Sequence, residues 1–303
     1  MQETIHIPVM PEETIALLAP KAGERIVDGT LGRAGHAARI AACGAEVLGI
    51  DRDGDAIAAA NEKNISGLCA VHGNHGDIAV IAKAHGWEKV DGILLDLGVS
   101  SPQLDEAGRG FSFMREGPLD MRMDRTRGPS AADLINSRDA EWLEEVFREY
   151  GEEPQARRLA RAIVEERVPR PFETTSALAE FVGKKLGYRT SHHPATRVFQ
   201  ALRMAVNDEA GELERALEGG MSLLSPGGRF AVITFESITD RIVKRFFASH
   251  VGRMESLQQG GERWVGSKPR ARALTRRAVR PSEREIAANP RSRSAKLRAV
   301  AVI

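Results

Sequence analysis

The chain has two cysteines in 303 residues, Cys43 and Cys69. Two thiols exclude a disulfide framework and a cysteine-cluster zinc site, and such usage suits a reducing compartment. Long apolar runs are lacking as well. No stretch reaches the roughly eighteen apolar residues that a membrane-spanning helix needs, and Met1 to Met10 carries no apolar run of the kind a secretory leader requires. No membrane partner is expected, and the cytoplasm is the expected compartment. Metal-ligand patterns are missing too. No carboxylate or cysteine stands at ligand spacing from His192 and His193, and the acidic series Asp51, Asp53, Asp55 and Glu62 fails as a calcium loop because Ala56 stands where that loop needs glycine. No metal is expected.

The formal net charge is only +1, yet its distribution is uneven. Arg263 to Arg298 holds twelve Lys and Arg against Glu283 and Glu285, while Glu141, Glu144, Glu145, Glu149, Glu152 and Glu153 make an acidic stretch. The basic tail suits either a polyanion partner or a solvated face.

What is present is organised around VDGTLGRAGHA, Val27 to Ala37. It reads as a strand end (Arg25 to Asp28), then a turn in which Gly29, Gly32 and Gly35 let the backbone approach a ligand, as in the first βα turn of a nucleotide-type α/β domain. A second strand, Glu46 to Ile50, ends in Asp51. That acid lies about twenty residues past the first glycine, the separation at which a carboxylate accepts hydrogen bonds from ribose hydroxyls. Further strands are expected at Leu68 to His72, Asp91 to Leu97 with Asp96 at its carboxyl end, Arg229 to Phe235 after a turn at Leu224 to Gly228, and Leu297 to Ile303. The GxGxxG spacing of nicotinamide dehydrogenases is absent. Between roughly Glu106 and Asn207 the pattern turns helical. Ser137 is expected to cap a helix carrying Trp142, Leu143, Val146, Phe147 and Tyr150 on one face, and further apolar stripes run through Leu159 to Val164 and Leu178 to Leu186.

Five stretches are more particular than a generic α/β domain: DGILLDLGVSSPQLD (Asp91 to Asp105), GRGFSFMREGPLDMRMD (Gly108 to Asp124), HPATRVFQALRMAVNDE (His193 to Glu209), DRIVKRF (Asp240 to Phe246) and NPRSRSAKLR (Asn289 to Arg298). From His6 onward the chain resembles the RsmH family, also called MraW. The resemblance implies a class I S-adenosylmethionine-dependent methyltransferase, Rossmann-like with a mostly parallel seven-stranded sheet. It would be formed by residues 1–105 and 208–303, with 106–207 as an inserted helical substrate-recognition domain. It further implies methylation of N4 of a decoding-centre cytosine in bacterial 16S rRNA of the small ribosomal subunit, by a monomer or homodimer. The alternative is a catalytically impaired RNA- or ribosome-binding member of the same fold.

Carried over by position, the cofactor contacts fall on Ala34, Gly35, His36, Asp51, His75, Asp96 and Gln103, beside the turn glycines Gly29 and Gly32. Three residues depart from the family pattern, which has glycine at Ala34, an aromatic ring at His75 and histidine at Glu236. Asp96 serves either as acceptor for the target amine or for the cofactor alone. On the RNA side, Arg109, Arg115, Arg122, Arg197, Arg203 and the tail arginines are candidates for phosphate contacts or for internal salt bridges, and His193 and Glu236 are placed near the substrate.

Overall fold

The computed structural model describes residues 8–187, 193–256, 262–265 and 268–303, with the backbone alone for 253–256 and 262–265. His6 and His192, named above, lie outside the described residues. The chain forms two compact units, residues 1–98 with 210–303, and residues 99–209.

The first unit opens with α1 (Pro11–Leu18), whose proline and two glutamates sit in its first turn, where an absent N–H and negative charge both favour a helix start. There follow β1 (Arg25–Asp28), α2 (Gly35–Ala42), β2 (Glu46–Asp51), α3 (Gly54–Glu62), β3 (Leu68–His72), α4 (Ile78–Ala84) and β4 (Val90–Asp96). The chain then passes through the second unit, with α5 (Ser101–Asp105), α6 (Ala131–Ser137), α7 (Ala140–Glu149), α8 (Ala156–Glu166), α9 (Thr175–Leu186) and α10 (Ala195–Val206). It returns through α11 (Glu209–Leu223), β5 (Leu224–Thr234), α12 (Ser237–Val251), the strand pair β6 (Arg253–Ser256) and β7 (Glu262–Val265), β8 (Ala271–Ala273), α13 (Glu283–Ala288) and β9 (Lys296–Val302).

Seven strands make one sheet in the order β3-β2-β1-β4-β5-β9-β8. The first five are parallel, and β9 runs antiparallel to both of its neighbours. The central strands read as unbroken apolar runs because both faces are covered. Val27, Leu48, Ile93, Leu95, Phe230 and Val232 point into one core, and Ile26, Val47, Leu94, Ala231 and Ile233 into the other. The turn expected at Leu224 to Gly228 lies inside β5 as a bulge. Val90 pairs with Leu224 and Gly92 with Arg229, and Gly227 takes φ +82° within the extra residues.

In the second unit, apolar faces of α7, α8, α9 and α10 close one core around Phe147, Leu159, Ile163, Val182, Val198 and Leu202. Its limits, Val99 and Glu209, differ from the expected 106 and 207, since α5 belongs with the 3-10 turn Ala107–Arg109 that follows it. The cap of α7 is also corrected. Asp139, not Ser137, accepts from Trp142 N at 2.8 Å, and Ser137 closes α6 by donating to Asp133 O at 2.6 Å. A carboxylate directly before the first helical residue displaces a hydroxyl two positions earlier.

The loop carrying Met121 and Met123 is pinned by buried Asn207. Its Nδ2 donates to Met121 O at 2.8 Å and to Arg203 O at 2.9 Å, and its Oδ1 accepts from Met123 N at 2.8 Å. Asn207→Leu strands two main-chain groups without water, so urea denaturation should show a loss of about 2–4 kcal/mol. A loss under about 0.5 kcal/mol would contradict the assignment.

Candidate active site

In an open parallel sheet, ligands bind beyond the carboxyl ends of the strands, and there the first unit concentrates its buried polar groups. The turn after β1 is tied to β4 and β2. Gly29 N donates to Leu94 O and Leu31 N to Ile50 O, both at 2.9 Å, while Gly32 N donates to Asp51 Oδ2 at 2.7 Å. In return Thr30 Oγ1 accepts from Asp96 N at 2.5 Å. Asp51 Oδ1 accepts from Asp53 N at 2.9 Å, so both of its oxygens are oriented by main chain at the tip of β2.

Two turn residues hold the left-handed conformation, Gly32 (φ +50°) and Ala34 (φ +58°). For alanine that conformation costs about 1–2 kcal/mol. Its fully buried methyl offsets about 0.8 kcal/mol of this, so the departure from glycine costs the fold about 1 kcal/mol or less. Gly35 has a packing reason. A Cβ there would lie 3.2 Å from the Pro8 ring, so a side chain at this position would have to displace Pro8.

His36, in the first turn of α2, is buried, with Nε2 3.6 Å from Asp96 Oδ2. That is an ion contact longer than a hydrogen bond. Burial pushes the ring pKa down, but the Asp96 carboxylate, helped by Asp28, outweighs it and raises the pKa above its ordinary 6.5. Asp28 is 1% exposed and accepts from Thr30 N at 3.1 Å. Burial pushes its carboxyl up to about 6 against the pull of His36, and Asp96 and Asp51 add to the rise. Burial likewise raises Asp51, opposed by its two main-chain donors. On the other side of the turn, His75 Cβ lies 3.4 Å from where a Gly29 side chain would begin. Burial, with Arg52 and Arg215 nearby, lowers the His75 pKa to about 3, so its ring is neutral. A neutral imidazole there offers a flat face and one nitrogen to an aromatic base.

Four buried polar atoms in this region have no hydrogen-bond partner, namely both ring nitrogens of His36, Nε2 of His75 and Oδ1 of Asp96. Orphaned groups of this kind are rare in folded proteins unless something else satisfies them. They belong to three of the residues expected to hold the cofactor. The histidine nitrogens fit a molecule with an amino acid at one end and a purine at the other, and Asp96 Oδ1 is open to an amine of either the cofactor or the substrate.

The remaining candidates are placed differently. Gln103, in the second unit, forms a capping box with Ser100, its Oε1 accepting from Ser100 N at 3.0 Å. His193 Nδ1 accepts from Ala195 N at 3.1 Å at the start of α10, and its ring packs 4.8 Å from Phe113. Arg115 Nη1 donates to Asp105 O at 3.2 Å, and exposed Arg197 lies 3.9 Å from Glu153. Arg122 is held by Asp120 through two hydrogen bonds, at 2.7 and 2.9 Å.

Two phosphate candidates are corrected. Arg109 is 3% exposed and donates to Met123 O at 3.0 Å; Arg203 is 8% exposed and held by both Glu209 oxygens, at 2.7 and 2.9 Å. Neither guanidinium reaches an external phosphate. Among the tail residues, Lys296 and Arg298 both bind Asp240, at 3.3 and 2.7 Å. Glu236 follows β5 at the N-terminus of the fifteen-residue α12, where the helix dipole favours a carboxylate. Sequence reasoning missed Asp28 as a titrating group and Asp240 as a clamp on β9. The position of Asp28 at the end of an apolar strand was the available signal for the first; nothing local marked the second.

Strand order, the single reversed strand and the polar mouth define a class I S-adenosylmethionine-dependent methyltransferase fold. The profile of the MraW methylase family matches residues 3–303, and the chain belongs to that family. It is 49% identical over 301 residues to ribosomal RNA small subunit methyltransferase H of Methylocella silvestris, covering 97% of this chain and 86% of that one. It is 47% identical over 309 residues to the protein of the same name from Citrifermentans bemidjiense, covering 99% of each. An rRNA methylase structure from Streptococcus thermophilus aligns over 99% of both chains at 10% identity with a TM-score of 0.44, too loose a likeness to argue from.

Asp28 gives a pH test. The native carboxyl keeps its proton up to about 6 while the unfolded one releases it near 3.8. Folding therefore takes up a proton between those values, and the associated stability is complete below pH 3.8 and lost as pH rises through 6. The ionised form costs on the order of 3 kcal/mol. Asp28→Asn, which keeps an acceptor for Thr30 N, should raise the thermal midpoint above that of the parent at pH 8, with the gain gone at pH 4. A gain of equal size at both values would rule out a titrating Asp28.

Proposed function

We propose that the chain methylates the exocyclic N4 of a decoding-centre cytosine in 16S rRNA of the small ribosomal subunit, in the bacterial cytoplasm, with S-adenosylmethionine as methyl donor. The family and its relatives named as small-subunit rRNA methyltransferases support the reaction class. The observation that carries the choice of an amine is Asp96 Oδ1, buried without a partner at the carboxyl end of a central strand.

Cytosine N4 is a weak nucleophile because its lone pair is delocalised into the ring. When bound, the cofactor supplies a methyl group on a positively charged sulfur. The chain contributes position and charge. His36, 3.6 Å away, anchors Oδ2 of Asp96, and Thr30 holds the Asp96 main chain, so Oδ1 is aimed rather than free to rotate. By accepting one amine hydrogen, Asp96 would turn the N4 lone pair toward the methyl group, and its carboxylate would oppose the positive charge that N4 gains on methylation. The proton then shed by N4 leaves through Asp96 to solvent. Asp51, at the β2 tip, fits the ribose hydroxyls, and neutral His75 fits the purine. The second unit, close to the expected 106–207, is assigned to RNA recognition, since the base must leave its stack to be reached.

The test is transfer of labelled methyl to small subunits that lack the modification, with product nucleosides identified by mass. N4-methylcytidine at one site supports the reading. Retained subunit binding without transfer would favour a non-catalytic RNA-binding protein. Asp96→Ala should lower kcat about a hundredfold or more, with affinity for S-adenosylhomocysteine measured separately. Unchanged turnover at saturating cofactor would remove Asp96 from the amine-accepting role.

A further inference from the structure

Several outward-facing cations of the second unit have a carboxylate partner. Arg148 lies beside Glu144 and Glu149, Lys184 beside Glu180, and Arg197 beside Glu153. Of those without one, four converge on a single groove. Arg157, Arg158 and Arg161 project from α8, Lys185 joins them from α9, and together they line a groove of about 620 Å³. Glu165 is the single carboxylate among its described lining residues, and none of the four cations is ion-paired within the described residues.

The local chemistry keeps that charge available. Arg158 Nη1 donates to Gln155 Oε1 at 3.1 Å, a neutral partner that orients the guanidinium without cancelling it. Lys185 Nζ lies 5.3 Å from the centroid of the Phe181 ring, which steadies the ammonium in the same way. The inward face of α8, with Leu159, Ala160 and Ile163 fully buried, fixes the arginine face outward. Arg157 and Arg161 stand one turn apart on that face, where like charges work against the helix. An arrangement that opposes its own helix is accounted for by a polyanion brought against it.

We propose that this α8–α9 groove binds the sugar–phosphate backbone of the RNA at a place away from the target base, a reading that rests on the RNA substrate proposed above. Guanidinium forks match phosphate oxygens bidentately, and Pro154 and Ala162 are the only apolar side chains among the described lining residues, neither of them large enough to seat a lipid chain or a protein anchor. The groove contributes affinity and register and carries no base readout.

The experiment measures binding of the full chain to naked 16S rRNA and to small subunits across a salt series. The parent is compared with the triple variant Arg157→Ala, Arg161→Ala, Lys185→Ala, and with Arg157→Lys, Arg161→Lys as a charge-preserving control. Each lost phosphate contact removes about 0.7–0.9 from the slope of log K against log salt. The triple variant should therefore lose about two units of slope and bind about tenfold more weakly near physiological salt, with S-adenosylhomocysteine affinity unchanged, and the lysine control should keep its slope. Unchanged slope and affinity overturns the groove as an RNA site. So does a loss seen with subunits but not with naked rRNA, which would point to an acidic protein surface. Absence of methyl transfer by the parent would sink the methylation reading while leaving the salt series interpretable.

Discussion

The turn after β1 is the constraint on which the candidate site depends. Its main chain is bonded to the ends of β4 and β2, and its threonine hydroxyl receives the Asp96 amide. With these bonds made, Asp28, Asp51, Asp96 and His36 have no freedom to spread their charges apart. Burial, with repulsion from neighbouring carboxylates, then pushes Asp28 and Asp51 up, and attraction to Asp96 and Asp28 lifts His36 against its own desolvation. Perturbed groups gathered at the mouth of a parallel sheet mark a place where binding is favoured over stability.

How much of this was legible depended on whether the signal was local. The parallel strands were, because burial on both faces writes them as apolar runs; Leu68–His72 has the expected limits and β4 differs from its expectation by one residue at each end. The Gly turn and Asp51 were also legible, through spacing. Three-residue β8 and the β6–β7 pair were not, being too short to carry a period. The departure at Ala34 was visible, but its consequence needed φ: the main chain asks for glycine there, and alanine fills a core position in exchange.

The arginines show the other limit. Arg109, Arg203 and Arg161 look alike in a sequence, yet one holds a loop carbonyl, one is closed on Glu209 and one faces a groove without an ion pair. Burial and partner geometry decide this, and both come from residues far off in the chain or from helix phase. Basic composition alone pointed to the tail, where Lys296 and Arg298 are in fact bound to Asp240. The arginines of α8 follow an acidic stretch in the chain, and no sequence motif singled them out.

On the proposed mechanism, the buried ion contact between the Asp96 carboxylate and His36 aims Asp96 at the target amine. The most direct measurement is an NMR titration of the His36 ring in the parent and in Asp96→Asn. The groups facing the ring are Asp96, Asp28, Arg39 and, more weakly, Glu285. With both carboxylates in place the ring should titrate above 6.5, and removing the Asp96 charge should bring it down as burial takes over. A parent ring that titrates at or below 6.5, or one that Asp96→Asn leaves unmoved, would contradict the account.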